Sequence, residues 1–215
     1  MMFDAVSIVT TTWNERENIE KLIPLIRKAM VRTSHEIIVV DDSSSDGTFS
    51  VAERLADIAV VKKREGQTKG LLYGMRLAKY PVIITIDSDL ENDPKYIPAL
   101  IKQISEYDVV VASRTHLPRI SEVIVSKTLG RFVGVTDTLS NFRAFKKQDI
   151  EAFRLRGGET FGAEFLVIAK KKGCRIGEIK YDPPPRRRNP RIGGTIKANL
   201  RITWALIKSL LLYVL

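Results

Sequence analysis

Short, nearly continuous apolar blocks alternate along the first half of the chain with segments whose apolar residues recur every three or four positions. Continuous blocks of β-branched residues are typical of buried strands, and the longer spacing is typical of helices with one buried face. The predicted strands are 5–11, 36–40, 59–62, 82–86 and 108–113. The predicted helices between them begin near Asn14, Val51, Gly66 and Asp93.

Apolar strands that alternate with helices predict an α/β fold, in which a mostly parallel sheet is covered by helices on both faces. The second half of the chain is less regular, with strands expected over 140–145 and 175–181 and a helix over 162–172. Asn14 and Glu17 have the spacing of an N-cap and its capping-box partner, which predicts that the first helix begins there.

The composition limits the classes of partner and chemistry. The chain has 215 residues, enough for one full core, and a formal net charge of +10. This charge predicts an anionic partner, such as a phosphorylated substrate, a nucleic acid or an acidic membrane surface. No basic face interleaved with aromatic residues is found, so nucleic acid is not the expected partner. The single Cys174 excludes an internal disulfide, and the glycine-rich phosphate loops of dehydrogenases and P-loop ATPases are missing.

Three carboxylates follow the apolar strand that ends at Ile86, namely Asp87, Asp89 and Glu91. Like charges this close destabilise a fold unless a cation lies among them. Mg²⁺ and Mn²⁺ prefer such oxygen ligands, usually together with the phosphates of a substrate. The segment therefore predicts a divalent metal site at the carboxyl edge of the sheet, where parallel sheets bind ligands. The alternative is an acidic turn without a ligand.

Four segments resemble, in the right order, the motifs of one family. They are Thr-Trp-Asn-Glu-Arg-Glu-Asn at 12–18, Val-Val-Asp-Asp-Ser-Ser-Ser-Asp-Gly-Thr at 39–48, Asp-Ser-Asp at 87–89 and Asp-Thr-Leu-Ser-Asn-Phe-Arg-Ala-Phe at 137–145. The set is similar to glycosyltransferase family 2, whose members have the GT-A nucleotide-sugar fold. The last motif resembles that of the polyprenyl-phosphate sugar synthases, including the dolichyl-phosphate mannose synthases.

The resemblance implies an inverting transfer of a hexose from a nucleotide sugar, GDP-mannose or UDP-glucose, to a polyprenyl (dolichyl) phosphate. It implies Mg²⁺ or Mn²⁺ as cofactor, held by Asp87, Asp89 and Glu91. The residues implied to bind the nucleotide sugar are Thr11, Trp13, Glu15, Val40, Asp42, Asp87 and Ser88. The residues implied to be catalytic are Asp89, Arg114 and Asp137. The alternatives are that Trp13 is a core aromatic, that Asp42 caps a turn, and that Asp137 is a helix or turn cap.

The acceptor requires positive charge more than it requires a base. A phosphate monoester is already ionised near neutral pH, so as a nucleophile it needs little help from a general base. Guanidinium groups bind phosphate bidentately. By the resemblance, the residues expected to contact the acceptor's phosphate are Arg114, Arg119, Arg186, Arg188 and Arg191.

The chain departs from the family pattern at positions that bear on the site. Glu91 stands where glutamine is common, and Asn141 stands where glycine is usual. Glu122 falls where relatives can carry a second phosphate-binding arginine, for which Arg119 is a substitute. Because of these departures, the sequence does not identify the acceptor substrate. A saccharide or another lipid acceptor would need Asp137 or another carboxylate as base, and a catalytically silent nucleotide-sugar-binding scaffold is a third alternative.

The C-terminal segment carries Lys197, Arg201 and Lys208 in one narrow stripe of an otherwise apolar helix. A helix of this kind suits the headgroup region of an anionic membrane. We therefore expect a glycosyltransferase domain over 1–194, a membrane-associated helix over 195–215 and a peripheral location on the cytoplasmic face of the membrane. The alternatives are a helix packed on the body of the protein, or a homodimer formed through this helix.

Overall fold

The structure is a computed structural model that describes residues 5–117, 119–150, 153, 155 and 161–184. Within these residues the chain forms one seven-stranded sheet in the order β3-β2-β1-β4-β6-β5-β7. The strands are β1 (Ala5–Thr12), β2 (Ser34–Asp41), β3 (Ile58–Val61), β4 (Val82–Thr85), β5 (Val109–Arg114), β6 (Arg143–Lys146) and β7 (Ile176–Tyr181).

The sheet is mostly parallel, as the sequence predicts. Strands β3, β2, β1 and β4 run parallel to one another, and β5 runs parallel to β7. Strand β6 lies between β4 and β5 and runs antiparallel to both. Consequently the loop that enters β6 reaches the same edge of the sheet as the carboxyl ends of β4 and β5.

Helices cover both faces of the sheet. They are α1 (Arg16–Ala29), α2 (Thr48–Leu55), α3 (Gln67–Leu77), α4 (Ile97–Gln103), α5 (Ile120–Val125), α6 (Arg131–Val133), α7 (Lys147–Ile150) and α8 (Phe161–Lys171). A 3₁₀ turn at Pro94–Tyr96 leads into α4, and Asp93 caps it by accepting from the backbone N–H of Lys95. A π-helical turn at Ser126–Gly130 joins α5 to α6.

The predicted capping box of the first helix is wrong. Helix α1 begins at Arg16, and Glu15 stands at its N-cap without a side-chain capping hydrogen bond. Asn14 instead adopts a left-handed backbone with a φ of 52°, which asparagine tolerates better than most residues. Its side-chain oxygen accepts a hydrogen bond from the backbone N–H of Ser45 at 3.0 Å. The asparagine therefore connects the loops after β1 and β2 rather than ending a helix.

The core has two halves, one on each face of the sheet. Val6 and Ile8 of β1 belong to the half that α1 and α4 cover, and Val9 belongs to the half that α3 and α8 cover. This alternation follows from the two-residue period of a strand. Helix α3 approaches β1 closely because it has glycine at position 74, where a Cβ atom would lie 2.4 Å from Cγ1 of Val9.

At the amino edge of the sheet, Asp108 ties three strands together. Its carboxylate accepts hydrogen bonds from Lys146 at 2.8 Å and from Arg175 at 3.2 Å, and these residues lie at the end of β6 and just before β7. Burial acts to raise the pKa of Asp108, but these hydrogen bonds outweigh it and hold the pKa well below its ordinary value.

Several predictions concern residues beyond the described part of the chain. The helix over 195–215, the domain boundary after 194 and the homodimer through that helix all lie outside the described residues. Of the helices that are described, none has the length and apolar character needed to cross a membrane.

Candidate active site

Polar residues from four strands meet at the carboxyl edge of the sheet. Thr12 and Asp41 are paired at the ends of β1 and β2, and the backbone N–H of Asp42 donates to the carbonyl of Thr12 at 2.8 Å. Strand β4 leads into Asp87 and Asp89, and β5 ends at Arg114. The edge is the place where the sequence predicts the site, because ligands of parallel sheets bind there.

A tight turn presents the two aspartates. Leu90, which follows Asp89, has a φ of 64°, and the backbone N–H of Glu91 donates to Oδ1 of Asp89 at 2.9 Å. The backbone N–H of Asp87 donates to the side chain of Asn92 at 3.3 Å. Short polar side chains that bond to nearby backbone favour turns, and here they hold the carboxylate of Asp89 and the backbone of Asp87 in place.

Two amides hold the carboxylate of Asp87. Gln67, the first residue of α3, donates to its Oδ1 at 2.6 Å, and Asn141, just before β6, donates to the same oxygen at 3.3 Å. Burial raises the pKa of Asp87, and the two amide hydrogen bonds act in the opposite direction. Asn141 is the residue that stands where the family pattern has glycine, so this departure adds a contact to the acidic pair.

Desolvation and repulsion act together on Asp89, although part of the residue is exposed to solvent. Desolvation by the surrounding protein, followed by the charge of Asp87 and smaller contributions from Glu91 and Glu15, raises the pKa of Asp89 to about 7. A carboxylate whose pKa is raised by a neighbouring carboxylate is in the arrangement that a divalent cation relieves.

The donor set fits a metal bound jointly with a substrate. Mg²⁺ and related ions are commonly held by one or two carboxylates plus substrate phosphates, and Asp87 and Asp89 supply two. Among the described residues, no group of three His, Cys, Asp or Glu side chains is placed to hold a metal ion. The geometry therefore gives no support to Glu91 as a third ligand.

Trp13 lies at the carboxyl end of β1, partly exposed, and a cation covers its ring. The guanidinium carbon of Arg64 is 3.3 Å from the centre of the Trp13 ring. An aromatic ring at the edge of the site, rather than in the core, is what a base-stacking role requires, and the core alternative for Trp13 is wrong. Arg64 comes from the loop between β3 and α3 and was not predicted as a site residue.

Glu15 is buried and its carboxylate already has a protein partner. The amide of Asn18 donates to its Oε2 at 2.6 Å, and the backbone N–H of Glu15 donates to Thr48 at 3.0 Å. Its charge also contributes, in a small part, to the raised pKa of Asp89.

Asp42 secures the loop that carries Arg64. Lys62 donates to its carboxylate, as do the backbone N–H groups of Glu65 and Gly66, each at 3.0 Å. Burial acts to raise the pKa of Asp42, but these hydrogen bonds hold it below its ordinary value. The carboxylate therefore positions the loop between β3 and α3, and its contact with a nucleoside stays a prediction.

The other residues predicted to bind the nucleotide sugar are mostly buried. The side chain of Val40 belongs to the core, and that of Thr11 faces α3, where a Cβ atom on Gly70 would lie 2.7 Å from its methyl group. Their side chains are thus turned into the fold. Ser88, between the two aspartates, is also buried.

Arg114 and Asp137 form a bidentate ion pair at the end of β5. Nε and Nη2 of Arg114 donate to the two carboxylate oxygens of Asp137 at 2.6 and 3.3 Å. The side chain of Asp137 is 2% exposed. Asp137 therefore orients Arg114 rather than capping a helix.

Arg119 and Glu122 extend this pair into a chain of alternating charges. Nη1 of Arg119 donates to Oε1 of Glu122 at 3.0 Å, and Nη2 of Arg114 lies 3.6 Å from Oε2 of the same carboxylate. Arg114 and Arg119 thus both contact the carboxylate of Glu122, and their contact with the phosphate of an acceptor stays a prediction. Arg186, Arg188 and Arg191 lie outside the described residues.

A buried arginine fixes the loop that carries Asp137 and Asn141. Arg143, at the start of β6, is fully buried and donates to the carbonyls of Ser140 and Gly162. Its guanidinium also packs near the rings of Phe161 and Phe165. Burial lowers the pKa of Arg143 to about 10, so the side chain stays charged at neutral pH.

The sheet order, with the antiparallel β6 inserted beside β4, and the carboxylates at its edge define a GT-A nucleotide-sugar fold. The profile of glycosyl transferase family 2 matches residues 7–164. The chain belongs to glycosyl transferase family 2.

Two curated relatives are named as transferases or synthases of polyprenyl-phosphate sugars. The chain is 29% identical to the dolichol-phosphate mannosyltransferase of Pyrococcus furiosus, over 94% of this chain and 64% of the relative. It is 28% identical to the dodecaprenyl-phosphate galacturonate synthase of Rhizobium johnstonii, over 81% of this chain and 57% of the relative. The chain thus spans less than two thirds of the length of these relatives.

Among solved structures, the chain is similar in fold to glucosyl-3-phosphoglycerate synthase from Mycobacterium tuberculosis, determined with Mn²⁺, UDP and glucosyl-3-phosphoglycerate. The TM-score is 0.79 at 19% identity, covering 96% of this chain and 80% of the other. At that identity the likeness supports the fold and nothing further.

Proposed function

We propose that the protein transfers a hexose, with inversion, from a nucleotide sugar to a polyprenyl phosphate. The observation that carries the proposal is the carboxylate pair Asp87 and Asp89 after the end of β4, on the same edge of the sheet as Arg114 at the end of β5. Two carboxylates can hold a metal ion together with the diphosphate of a donor, and a guanidinium can bind the phosphate of an acceptor. This combination suits a reaction between two phosphorylated substrates. The names of the curated relatives support this acceptor.

The residues of the chain hold and orient the donor. Asp87 and Asp89 would hold Mg²⁺ or Mn²⁺, which when bound neutralises the charge of the departing diphosphate. Gln67 and Asn141 keep the carboxylate of Asp87 in one orientation. Trp13 offers a ring for the base, and Arg64 and Asp42 shape the loop above it.

Asp137 favours a phosphate acceptor over a saccharide acceptor. A saccharide hydroxyl needs a general base, whereas a phosphate monoester does not. Both oxygens of Asp137 are bonded to Arg114, and its side chain is buried, so it is poorly placed to accept a proton from a substrate. Arg114, held by this pair, is instead suited to position an anionic acceptor.

We also propose that the protein works at the surface of an anionic membrane, on its cytoplasmic face. Beside the arginine pair, the segment from α5 to α6 exposes three large apolar side chains, namely Ile120, Ile124 and Phe132. Lys127 and Arg131 are exposed on the same segment. Apolar side chains flanked by cations suit the headgroup region of such a membrane, and the helix proposed over 195–215 would add to this contact.

The test is transfer of radiolabelled sugar from a panel of GDP- and UDP-sugars to farnesyl phosphate in detergent, with Mg²⁺, with Mn²⁺ and with EDTA. We expect an organic-extractable product that EDTA abolishes. Asp89→Asn should lower turnover at least about a hundredfold, because loss of a metal ligand removes several kcal/mol of charge stabilisation. Asp149→Asn, on α7 away from the site, is the matched control and should retain turnover.

Two results would count against the proposal. Undiminished transfer by Asp89→Asn would remove the acidic pair from the mechanism. Nucleotide binding without transfer from any donor to farnesyl phosphate would indicate a different acceptor or a silent scaffold.

A further inference from the structure

The acceptor side of the site contains a carboxylate where a phosphate group would be expected to bind. Glu122, on α5, is 5% exposed and lies between Arg114 and Arg119. Its Oε1 accepts from Arg119 at 3.0 Å. Its Oε2 is 3.6 Å from Nη2 of Arg114 and, within the described part of the chain, accepts no hydrogen bond.

The charges of this cluster cancel. Arg114 and Arg119 contribute two positive charges, and Asp137 and Glu122 contribute two negative charges. Asp137 takes Nε and one N–H of Nη2 of Arg114, which leaves Nη1 and the other N–H of Nη2 for a further anion, and Nη2 is the atom 3.6 Å from Glu122. A phosphate group that bridged Nη2 of Arg114 and Nη1 of Arg119 would therefore meet the carboxylate of Glu122, which lies near both.

We propose that Glu122 determines how tightly a phosphate monoester binds at this site, by competing with it for Arg114 and Arg119. The inference rests on the proposed transfer to a phosphate acceptor and specifies how that acceptor is held and released. The position of Oε2 supports it, because among the described residues this oxygen accepts no hydrogen bond and its contact with Arg114, at 3.6 Å, is longer than one. When the acceptor binds, its phosphate then replaces the carboxylate of Glu122 as the anion in contact with Arg114 and Arg119.

The same competition assists release of the product. In the transfer, an oxygen of the acceptor's phosphate forms a bond to the anomeric carbon of the sugar. The bond from that carbon to the diphosphate breaks, and its electron pair leaves with the nucleoside diphosphate. The acceptor enters as a dianionic monoester and leaves as a singly charged diester. Glu122 competes better against the diester than against the monoester, because the diester carries less charge.

The test is binding of farnesyl phosphate without any donor, measured by isothermal titration calorimetry in detergent. Glu122→Gln keeps the shape and removes the charge, and should bind farnesyl phosphate about tenfold more tightly than the unaltered chain. Glu122→Asp keeps the charge and should show no such gain. In the transfer assay, Glu122→Gln should lower the KM for the acceptor and leave the KM for the nucleotide sugar unchanged, a split that a purely structural role would not produce.

If Glu122→Gln folds poorly, a second pair of variants tests the same proposal. Arg119→Gln alone should weaken binding of farnesyl phosphate, and the double variant Arg119→Gln/Glu122→Gln should bind it more tightly than Arg119→Gln. Glycerol 3-phosphate, a water-soluble monoester, is the parallel probe. A gain with both ligands would assign the effect to the phosphate group, and a gain with farnesyl phosphate alone would assign it to the lipid-linked phosphate.

The failures of the two ideas are distinguishable. Equal or weaker binding of farnesyl phosphate by Glu122→Gln, with the unaltered chain binding it measurably, would overturn the role of Glu122 and leave the proposed function standing. Absence of binding to both proteins, with nucleotide binding intact, would overturn the proposed function and this inference with it.

Discussion

Asp87 owes its orientation to two amides that come from distant parts of the sequence. Gln67 begins α3, and Asn141 precedes β6, yet both donate to the same carboxylate oxygen. Groups that hydrogen-bond to a metal-binding carboxylate orient it and stabilise its charged form. At this site the loop between β3 and α3 and the loop before β6 therefore act together on one side chain.

We predict that Gln67→Ala weakens binding of Mn²⁺ in the presence of UDP or GDP about tenfold, because the carboxylate loses its shorter supporting hydrogen bond. The measurement is the free Mn²⁺ signal in electron paramagnetic resonance titrations. Gln148→Ala, an exposed glutamine on α7, is the matched control. Equal Mn²⁺ affinity of the two variants would show that the amide does not support a metal ligand.

Among individual residues, the sequence predicts the two carboxylates of the site better than the amide side chains that hydrogen-bond to them. Asp87 and Asp89 could be predicted because a strand that ends in alternating carboxylates is a local pattern. The contacts of Gln67 and Asn141 with Asp87 depend on how two loops fold over the carboxyl edge of the sheet. The spacing of residues along the sequence does not predict such contacts. Asn141 did carry one signal, since it stands where the family pattern has a residue without a side chain.

The sheet depends on a junction among β5, β6 and β7. Asp108 connects Lys146 and Arg175, so these three strands are held by one carboxylate at the edge opposite the site. The strand order could not be deduced from alternation alone, because β6 inserts between β4 and β5 by pairing with residues far away in sequence. The failed capping box at Asn14 has a similar cause, since the partner of Asn14 is Ser45 of another loop.

We predict that Asp108→Asn lowers the free energy of unfolding by about 1–2 kcal/mol at pH 7, because a half-buried carboxylate loses its charged partners. The pKa of Asp108 lies below its unfolded value, so its contribution is present above about pH 4 and fades as the pH falls below that. Urea unfolding at pH 7 and pH 3 measures this. A difference between the two proteins that stays the same at both pH values would contradict the prediction.

The whole molecule combines a net charge of +10 with an apolar surface, formed by Ile120, Ile124 and Phe132, beside the Arg114 and Arg119 pair. Opposite charge attracts a protein to an anionic bilayer over a distance of about 10 Å at 0.1 M salt, and exposed apolar side chains then hold it there. The two contributions differ in their response to salt, because ionic attraction is screened and apolar contact is not.

We predict that the protein binds vesicles of anionic lipid and is partly released at 0.5 M NaCl. Ile120→Ser together with Ile124→Ser should lower vesicle binding about tenfold at either salt concentration, because two apolar side chains no longer enter the headgroup region. Val31→Ser is the control, since Val31 is 81% exposed and lies at the end of α1, outside the proposed surface. Co-sedimentation measures all three proteins, and equal loss in the control would refute the assignment of this surface.

The guanidinium that covers Trp13 gives the protein an optical signal of its own. The chain has two tryptophans, Trp13 and Trp204, and Trp13 stands at the carboxyl edge of the sheet. A cation 3.3 Å from an indole ring alters its emission, and a nucleotide base that stacks on the ring must replace or join that cation. With Trp204→Phe as background, the fluorescence of one native side chain would follow donor binding in real time, without a label or a coupled reaction.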